Sequence, residues 1–311
     1  MEMTTKTASS PDTHPSRKSA FITFFSRLFR EKKLGAIGLI IVVVFLLVGI
    51  FADFLAPYGM MEFDLKNRLQ GPTLDHWMGT DHFGRDLFSR VIYGARISMV
   101  VGLSACGILI IISTTVGLLS GYIGGTLDLV IQRVVDAWLS LPGLFVILTV
   151  MTTLGPGMPQ TIGVLGAFWG IANIRTVRGV VLSAKENVYV AAARSVGCST
   201  PRILIKHILP QIWAPLIVVY TVALGGIIIG EAVISYLGFG IPPPQPSWGG
   251  MLSLEGQKYM LEQPWLAFWP GLALAIVIYG VNMLGDAMRD LLDPRLRGKV
   301  GRLGLPKKAK N

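Results

Sequence analysis

Asn187 to Pro210, NVYVAAARSVGCSTPRILIKHILP, is a basic segment set between two very apolar regions, and its reading decides the fold. The pattern predicts two short helices with a turn between them. Asn187 is placed to cap the first helix. Gly197 stands where that helix should stop, because glycine enters the left-handed conformation without a Cβ penalty. Thr200 followed by Pro201 is then a cap with proline at the first helical position, where a missing N–H costs nothing. Pro210 is expected to close the second helix and open the next apolar run. A helical hairpin held at a membrane surface is suited to receiving force from a soluble partner.

The rest of the chain supplies that membrane. Of 311 residues, 52% are hydrophobic and only 15% are charged, against about 25% charged in a typical soluble domain. Mean hydropathy is +0.58. These values describe an all-α polytopic membrane protein rather than a soluble fold with a large core. The net charge of +10 does not point to nucleic acid, because the charges lie between apolar runs and at the ends. Cys106 and Cys198 form no disulfide or metal framework that the sequence supports.

Residues 1–33 are polar, then basic, and form an expected N-terminal tail; Phe21 to Phe29 reads either as a short surface helix with one apolar face or as a helical continuation into the first span. Leu34 to Ala52 contains no charge, and about 20 residues suffice to cross the hydrocarbon core. The long leader and the lack of a small-x-small cleavage site favour an uncleaved first span. Ile97 to Leu127 is again uncharged, with Gly117, Gly121 and Gly125 at four-residue spacing on one helix face, where they permit close helix contact. Ala137 to Ile174 is uncharged and too long for one span, with its break at Leu154-Gly-Pro-Gly-Met-Pro159. Pro142 is expected to kink the span before that break. Six spans result, at about 34–55, 98–120, 129–153, 160–181, 212–236 and 265–286. The six-span domain is 34–290, followed by a basic tail at 291–311. Lys and Arg split 22 to 6 between the two sides of this arrangement. By the positive-inside rule both termini and the hairpin are cytoplasmic.

Family resemblance enters at the hairpin. AAARSVG followed by HILP resembles the cytoplasmic loop of ABC-importer permeases, whose pattern is roughly Glu-Ala-Ala, three residues, Gly, nine residues, Ile-x-Leu-Pro. Ala192, Ala193, Gly197, Leu209 and Pro210 fall at the matching spacing. Ala191 stands where the family has Glu, and His207 where it has Ile. Three further stretches resemble the peptide/nickel branch: His76-Trp-Met-Gly-Thr-Asp81 through Gly84-Arg-Asp86 to Arg96; Glu231 to Gly240 with Pro242 to Gly249; and Asn282-Met-Leu-Gly-Asp286 with Asp293-Pro-Arg295. Together they resemble the C-type permease of dipeptide and oligopeptide importers.

That resemblance implies a type I ABC importer permease fold in the inner membrane. It implies that Ala191, Ala192, Ala193, Arg194, Gly197, His207, Leu209 and Pro210 form a coupling helix docking on an ATPase subunit. The implied partners are a homologous B-type permease, two ATPase subunits, an extracytoplasmic solute-binding protein and membrane lipid. ATP and magnesium would sit on the ATPases, and this chain would carry no cofactor and no covalent chemistry. In keeping with this, no Gly-x4-Gly-Lys-Ser/Thr phosphate loop occurs in the sequence.

Other residues carry open readings. Asp81, Arg85, Asp86, Arg90 and Arg96 alternate in sign at near-helical spacing, with Asp86 and Arg90 placed to pair. They read either as a solvated surface helix or as a docking surface for the binding protein. His76 and His82 beside Asp75 and Asp81 are a weak metal signal. Trp248, in the stiff Pro-rich run, is an interfacial anchor, a binding-protein contact or part of a rigid cap. Glu231 is the most expensive residue in the apolar runs and faces either another helix or the translocation path. Asn282 and Asp286 share a face of the last span and are expected to join helices. An ion-coupled secondary transporter would need midplane ionisable residues and internal repeats; an intramembrane enzyme would need a partner for Glu231. Neither pattern stands out. Peptide, nickel and glutathione cargo look alike at this level.

Overall fold

A computed structural model describes residues 25–292. The basic tail beyond 292, the first 24 residues with Phe21 and Phe24, and the Asp293-Pro-Arg295 motif lie outside the described residues. Among the described residues the chain is helical and has no strand, only an isolated bridge between Thr80 and Asp86.

The main helices are α1 (Lys33–Ile50), α2 (Leu87–Ile123), α3 (Gly125–Ser140), α4 (Gly143–Leu154), α5 (Met158–Lys185), α6 (Val188–Ser195), α7 (Thr200–Tyr236) and α8 (Trp265–Leu292). Four of them, α1, α2, α7 and α8, are long and apolar enough to cross a membrane. The expected third span is instead two helices, α3 and α4, bent by 90° at Leu141–Pro142. Pro142 does more than kink: it caps α4 in extended conformation, and the residue before a proline is itself pushed out of the helical region. α5, the expected fourth span, has 28 residues but is less apolar than the other four.

Glycine sets the helix contacts. Gly117 and Gly121 on α2 receive Val177 and Val181 of α5, and Gly166 and Gly170 on α5 receive Ile108 and Ile112 of α2. A Cβ at any of the four would meet the opposing side chain at 2.6–3.0 Å. The two helices therefore approach as small-residue stripes allow. Gly125 is not part of that stripe: it opens α3 at φ +59 with open space around it. α1 and α8 pack by the same device, with Gly38 against Gly280 and Met283.

The region after the hairpin departs from the sequence reading. Pro210 does not end a helix. α7 runs unbroken from Thr200 to Tyr236, with a π turn over Ile203–Ile208. Proline's ring clashes with the carbonyl four residues earlier in a regular α-helix, and the wide π turn relieves that conflict at Lys206 without breaking the rod.

Candidate functional site

The hairpin is α6, the turn at Val196–Ser199, and the first turns of α7. Its first helix ends as glycine dictates. Gly197 has φ +75; its N–H donates to the Arg194 carbonyl at 2.9 Å and the Cys198 N–H to the Ala193 carbonyl at 3.1 Å. These are the two bonds of a Schellman motif. A Cβ at Gly197 would meet nothing within 4 Å, so backbone conformation, not close approach, requires glycine here. The helix starts differ from expectation. Asn187 makes no side-chain cap and instead donates from Nδ2 to the Ala184 carbonyl at 2.9 Å. The second cap position is Ser199, and Thr200 is already helical.

The three alanines divide. Ala193 is buried with Val190, Ile203, Leu204 and Ile208 in the main core, while Ala191 and Ala192 are exposed. Val188, Val196 and Ile205 are also exposed, so the hairpin presents an apolar, small-residue face to its surroundings. His207 and Leu209 are half-buried and Pro210 is exposed.

A polar cluster the sequence reading missed ties this hairpin to the helices behind it. Arg194 donates from Nε to the Tyr122 hydroxyl at 3.1 Å and lies over the Tyr122 ring at 4.9 Å. Tyr122 belongs to the last turn of α2. In the same turn the Gly121 carbonyl accepts from Lys185 Nζ at 3.0 Å, and Ser120 donates to Asp128 of α3 at 2.5 Å. Asp128 also receives both Nε and Nη2 of Arg178 on α5, each at 2.5 Å. The available signal was Asp128 itself, the first charge after the uncharged run that ends at Leu127.

At the other end of α2 the charged segment is neither solvated nor a simple helix. Asp81, Arg85, Asp86 and Arg90 are all buried, which corrects the surface-helix reading. Asp81 accepts from Arg85 Nε at 2.6 Å, has Arg90 Nε at 3.5 Å, and takes the Phe83 and Arg85 N–H groups at 2.8 and 3.0 Å. Asp86 caps α2 by accepting from the Ser89 N–H and hydroxyl, each at 2.8 Å, and its other oxygen lies 3.0 Å from His76 Nδ1. Arg96 donates to the Gly49 carbonyl and to Asp53, fastening α2 to the end of α1. The Asp53 carboxyl is held below the usual range by the Arg96 hydrogen bond. Among the described residues no cluster of three or more His, Cys, Asp or Glu is arranged to hold a metal.

Trp248 is not an interfacial anchor. It is fully buried, donates from Nε1 to the Val91 carbonyl at 3.0 Å, and fills the space left by Gly94. Glu231 is buried on α7 and accepts from Ser235 Oγ at 2.8 Å and from Ser98 Oγ of α2 at 3.4 Å. Asn282 on α8 rests against Gly225 of α7, and Asp286 lies at a surface hollow with Lys32 and Asp290. Lys32 pairs with Asp290 at 2.6 Å.

A family model, the binding-protein-dependent transport system inner membrane component, matches residues 113–298, a span that includes the hairpin and the cluster behind it. The chain belongs to that family. A second model, the N-terminal TM domain of oligopeptide transport permease C, matches residues 24–72 of the permease. The permease is 39% identical to the dipeptide transport system permease protein DppC of Alkalihalophilus pseudofirmus, over 86% of this chain and 88% of that one. It is 38% identical to the oligopeptide transport system permease protein OppC of Bacillus subtilis, over 86% and 88%. With the glutathione transport system permease protein GsiD of Escherichia coli O6:K15:H31 it shares 39% identity, over 88% and 90%. Among solved structures, the permease resembles a chain of the MetNI methionine ABC transporter in its inward-facing conformation. That likeness has a TM-score of 0.50 at 17% identity and covers 65% of this chain and 96% of that one, which shows the fold.

Proposed function

We propose that this permease forms half of a peptide translocation path and that residues 187–210 are its coupling element. The observation that carries the reading is the hairpin's construction. An exposed face of Val188, Ala191, Ala192 and Val196 is backed by buried Ala193, while Arg194 and Lys185 fasten it to the end of α2. A soluble ATPase can seat against small side chains, and its displacement then reaches α2, α3 and α5 through the Tyr122 and Asp128 contacts. A homologous B-type permease completes the path, two ATPase subunits lie beneath, and a binding protein delivers cargo from outside. The six-span reading rests on the uncharged runs, and the cytoplasmic side for both termini on the 22 to 6 split of Lys and Arg. Peptide is the cargo named for the relatives, glutathione included, and so the cargo class adopted here. The bundle moves between two discrete packings rather than deforming smoothly.

The test is Ala192→Glu, with Gly197→Leu as a second variant, in the assembled complex in proteoliposomes. The expected result is uptake lost while peptide-loaded binding protein no longer stimulates ATP hydrolysis. Wild-type uptake in both variants would sink the coupling assignment.

A further inference from the structure

In the segment between α1 and α2 the chain encloses a pocket of about 360 Å³, within the range of about 300–1,000 Å³ usual for binding sites. Its wall includes Tyr58, Glu62, Asp64, Asp75, His76 and Asp86, and among the described residues it holds no Lys or Arg. Four carboxylates thus line one cavity whose wall supplies no cation. Its floor is rigid, because His76 is 8% exposed and Asp86 4%. Asp86 Oδ1 lies 3.0 Å from His76 Nδ1. A carboxylate only accepts, so Nδ1 carries the proton, and in the neutral ring Nε2 keeps its lone pair. Nε2 makes no hydrogen bond among the described residues, and this pocket is the cavity that the ring lines. A buried acceptor left without a donor is costly and marks the place for one.

The acids have room for the same donor. Glu62 uses one oxygen on the Gly59 N–H at 2.9 Å. Asp75 is bonded through its backbone carbonyl, which accepts from the Tyr58 hydroxyl at 3.1 Å, and its carboxylate is left to the cavity. Among the described residues no three such groups are spaced to share a metal ion. An ammonium or guanidinium group suits them better, because its several N–H donors reach acceptors that stand apart. Leu74 and Trp77, on either side of Asp75 and His76 in the chain, are 93% and 61% exposed. Large apolar side chains beside a polar socket are the surface of a protein contact.

We propose that this pocket is the socket for a lysine or arginine side chain of the extracytoplasmic solute-binding protein, with Asp75, Glu62 and His76 Nε2 as its acceptors. The proposal rests on the peptide-import reading above. It takes the docking contact away from the charges at 81–90, which are buried, and gives it to residues 62–77.

The test uses the full complex in nanodiscs and the solute-binding protein whose Leu-Leu-loaded form stimulates its ATP hydrolysis. Glu62→Gln with Asp75→Asn should raise the Kd of that loaded protein about tenfold, and binding by the double variant should depend less on salt than wild-type binding does. One Lys→Ala or Arg→Ala replacement on the binding protein should weaken binding to the wild-type complex and leave binding to Asp75→Asn unchanged. An unmoved Kd overturns the proposal. So does full additivity of every such replacement with Asp75→Asn. An unmoved Kd with uptake lost for free-amine Leu-Leu but not for N-acetyl-Leu-Leu overturns it too, because the socket then takes the ammonium of the cargo. If the double variant fails to accumulate, Asp75→Asn alone decides. A wild-type complex that no loaded binding protein stimulates refutes the peptide-import reading first and takes this proposal with it.

Discussion

The two ends of α2 carry charge in opposite ways. The helix has 37 residues and so spans about 55 Å. At its start, Asp81, Arg85, Asp86 and Arg90 are buried together in a network closed by His76 and Ser89. At its end, Arg194, Tyr122, Lys185 and the Asp128–Arg178 pair form a half-exposed ladder beneath an open hairpin face. A buried ion network resists rearrangement, because moving either partner strands a charge away from water. Exposed pairs exchange with solvent at little cost. The contrast is between an end whose contacts resist rearrangement and an end whose contacts exchange at little cost.

The largest effect should therefore come from the buried end. Asp81→Ala removes the carboxylate beside Arg85 and Arg90 and leaves buried guanidinium groups undercompensated, at a cost of about 3–5 kcal/mol. Thermal unfolding in detergent, followed by retained helicity, measures it. The matching change at the other end, Arg194→Ala, should cost about 1 kcal/mol or less. Equal losses from the two substitutions would break the comparison.

A pair of glycines sharpens it at smaller scale. Gly84 and Gly197 have nearly the same left-handed backbone, φ +74 and +75. At Gly84 a Cβ would overlap the Asp64 carbonyl oxygen, whereas at Gly197 it meets open space. Alanine at either site carries about 1–2 kcal/mol for the left-handed conformation; only Gly84→Ala adds about 1–3 kcal/mol of overpacking. The difference between the two melting shifts isolates the packing part. Identical shifts would show that the segment around Asp64 yields as readily as the hairpin.

What could be read in advance follows the range of the interactions. The Schellman end at Gly197 was legible because cap chemistry lies within six consecutive residues. So was the helical class, since uncharged runs of span length have few other destinations. The burial of the 81–90 segment was not. Arg90 meets Asp81 across nine residues that fold back through a turn at Gly84, and nothing in the alternation of signs distinguishes that from a solvated helix. The anchor reading of Trp248 fails for the same reason: its hole is made by Gly94, 154 residues earlier in the chain. Pro210 reads as a stop because its ring disfavours a regular helix, but α7 carries the chain through it after a π turn at Ile203–Ile208. The cluster at Asp128 and Arg178 joins residues 50 apart, and only the fold brings them together.

The smallest effect tests whether burial, rather than position along α2, decides rigidity. Asp53 lies past the end of α1 at Ile50, short of the expected span limit near 55, at the same end as the buried network yet exposed, and its partner Arg96 reaches it from α2 at 2.9 Å. The Arg96 hydrogen bond holds the Asp53 carboxyl below its ordinary value, against a smaller opposing effect of desolvation. A carboxylate with a depressed folded-state pKa adds stability that is complete above the unfolded value, about 3.9, and that disappears as pH falls through the depressed one. The pair should thus contribute a slope only on the acid side, below about pH 4, and none between pH 6 and 8. Because solvent reaches the pair, raising salt from 0.02 to 0.5 M should flatten that slope. Asp53→Asn should abolish it and lower neutral-pH stability by no more than the small amount that the slope carries. If Asp53→Asn instead destabilises the chain at pH 7 as much as Asp81→Ala does, exposure does not separate these contacts, and the whole start of α2, exposed residues included, acts as one rigid block.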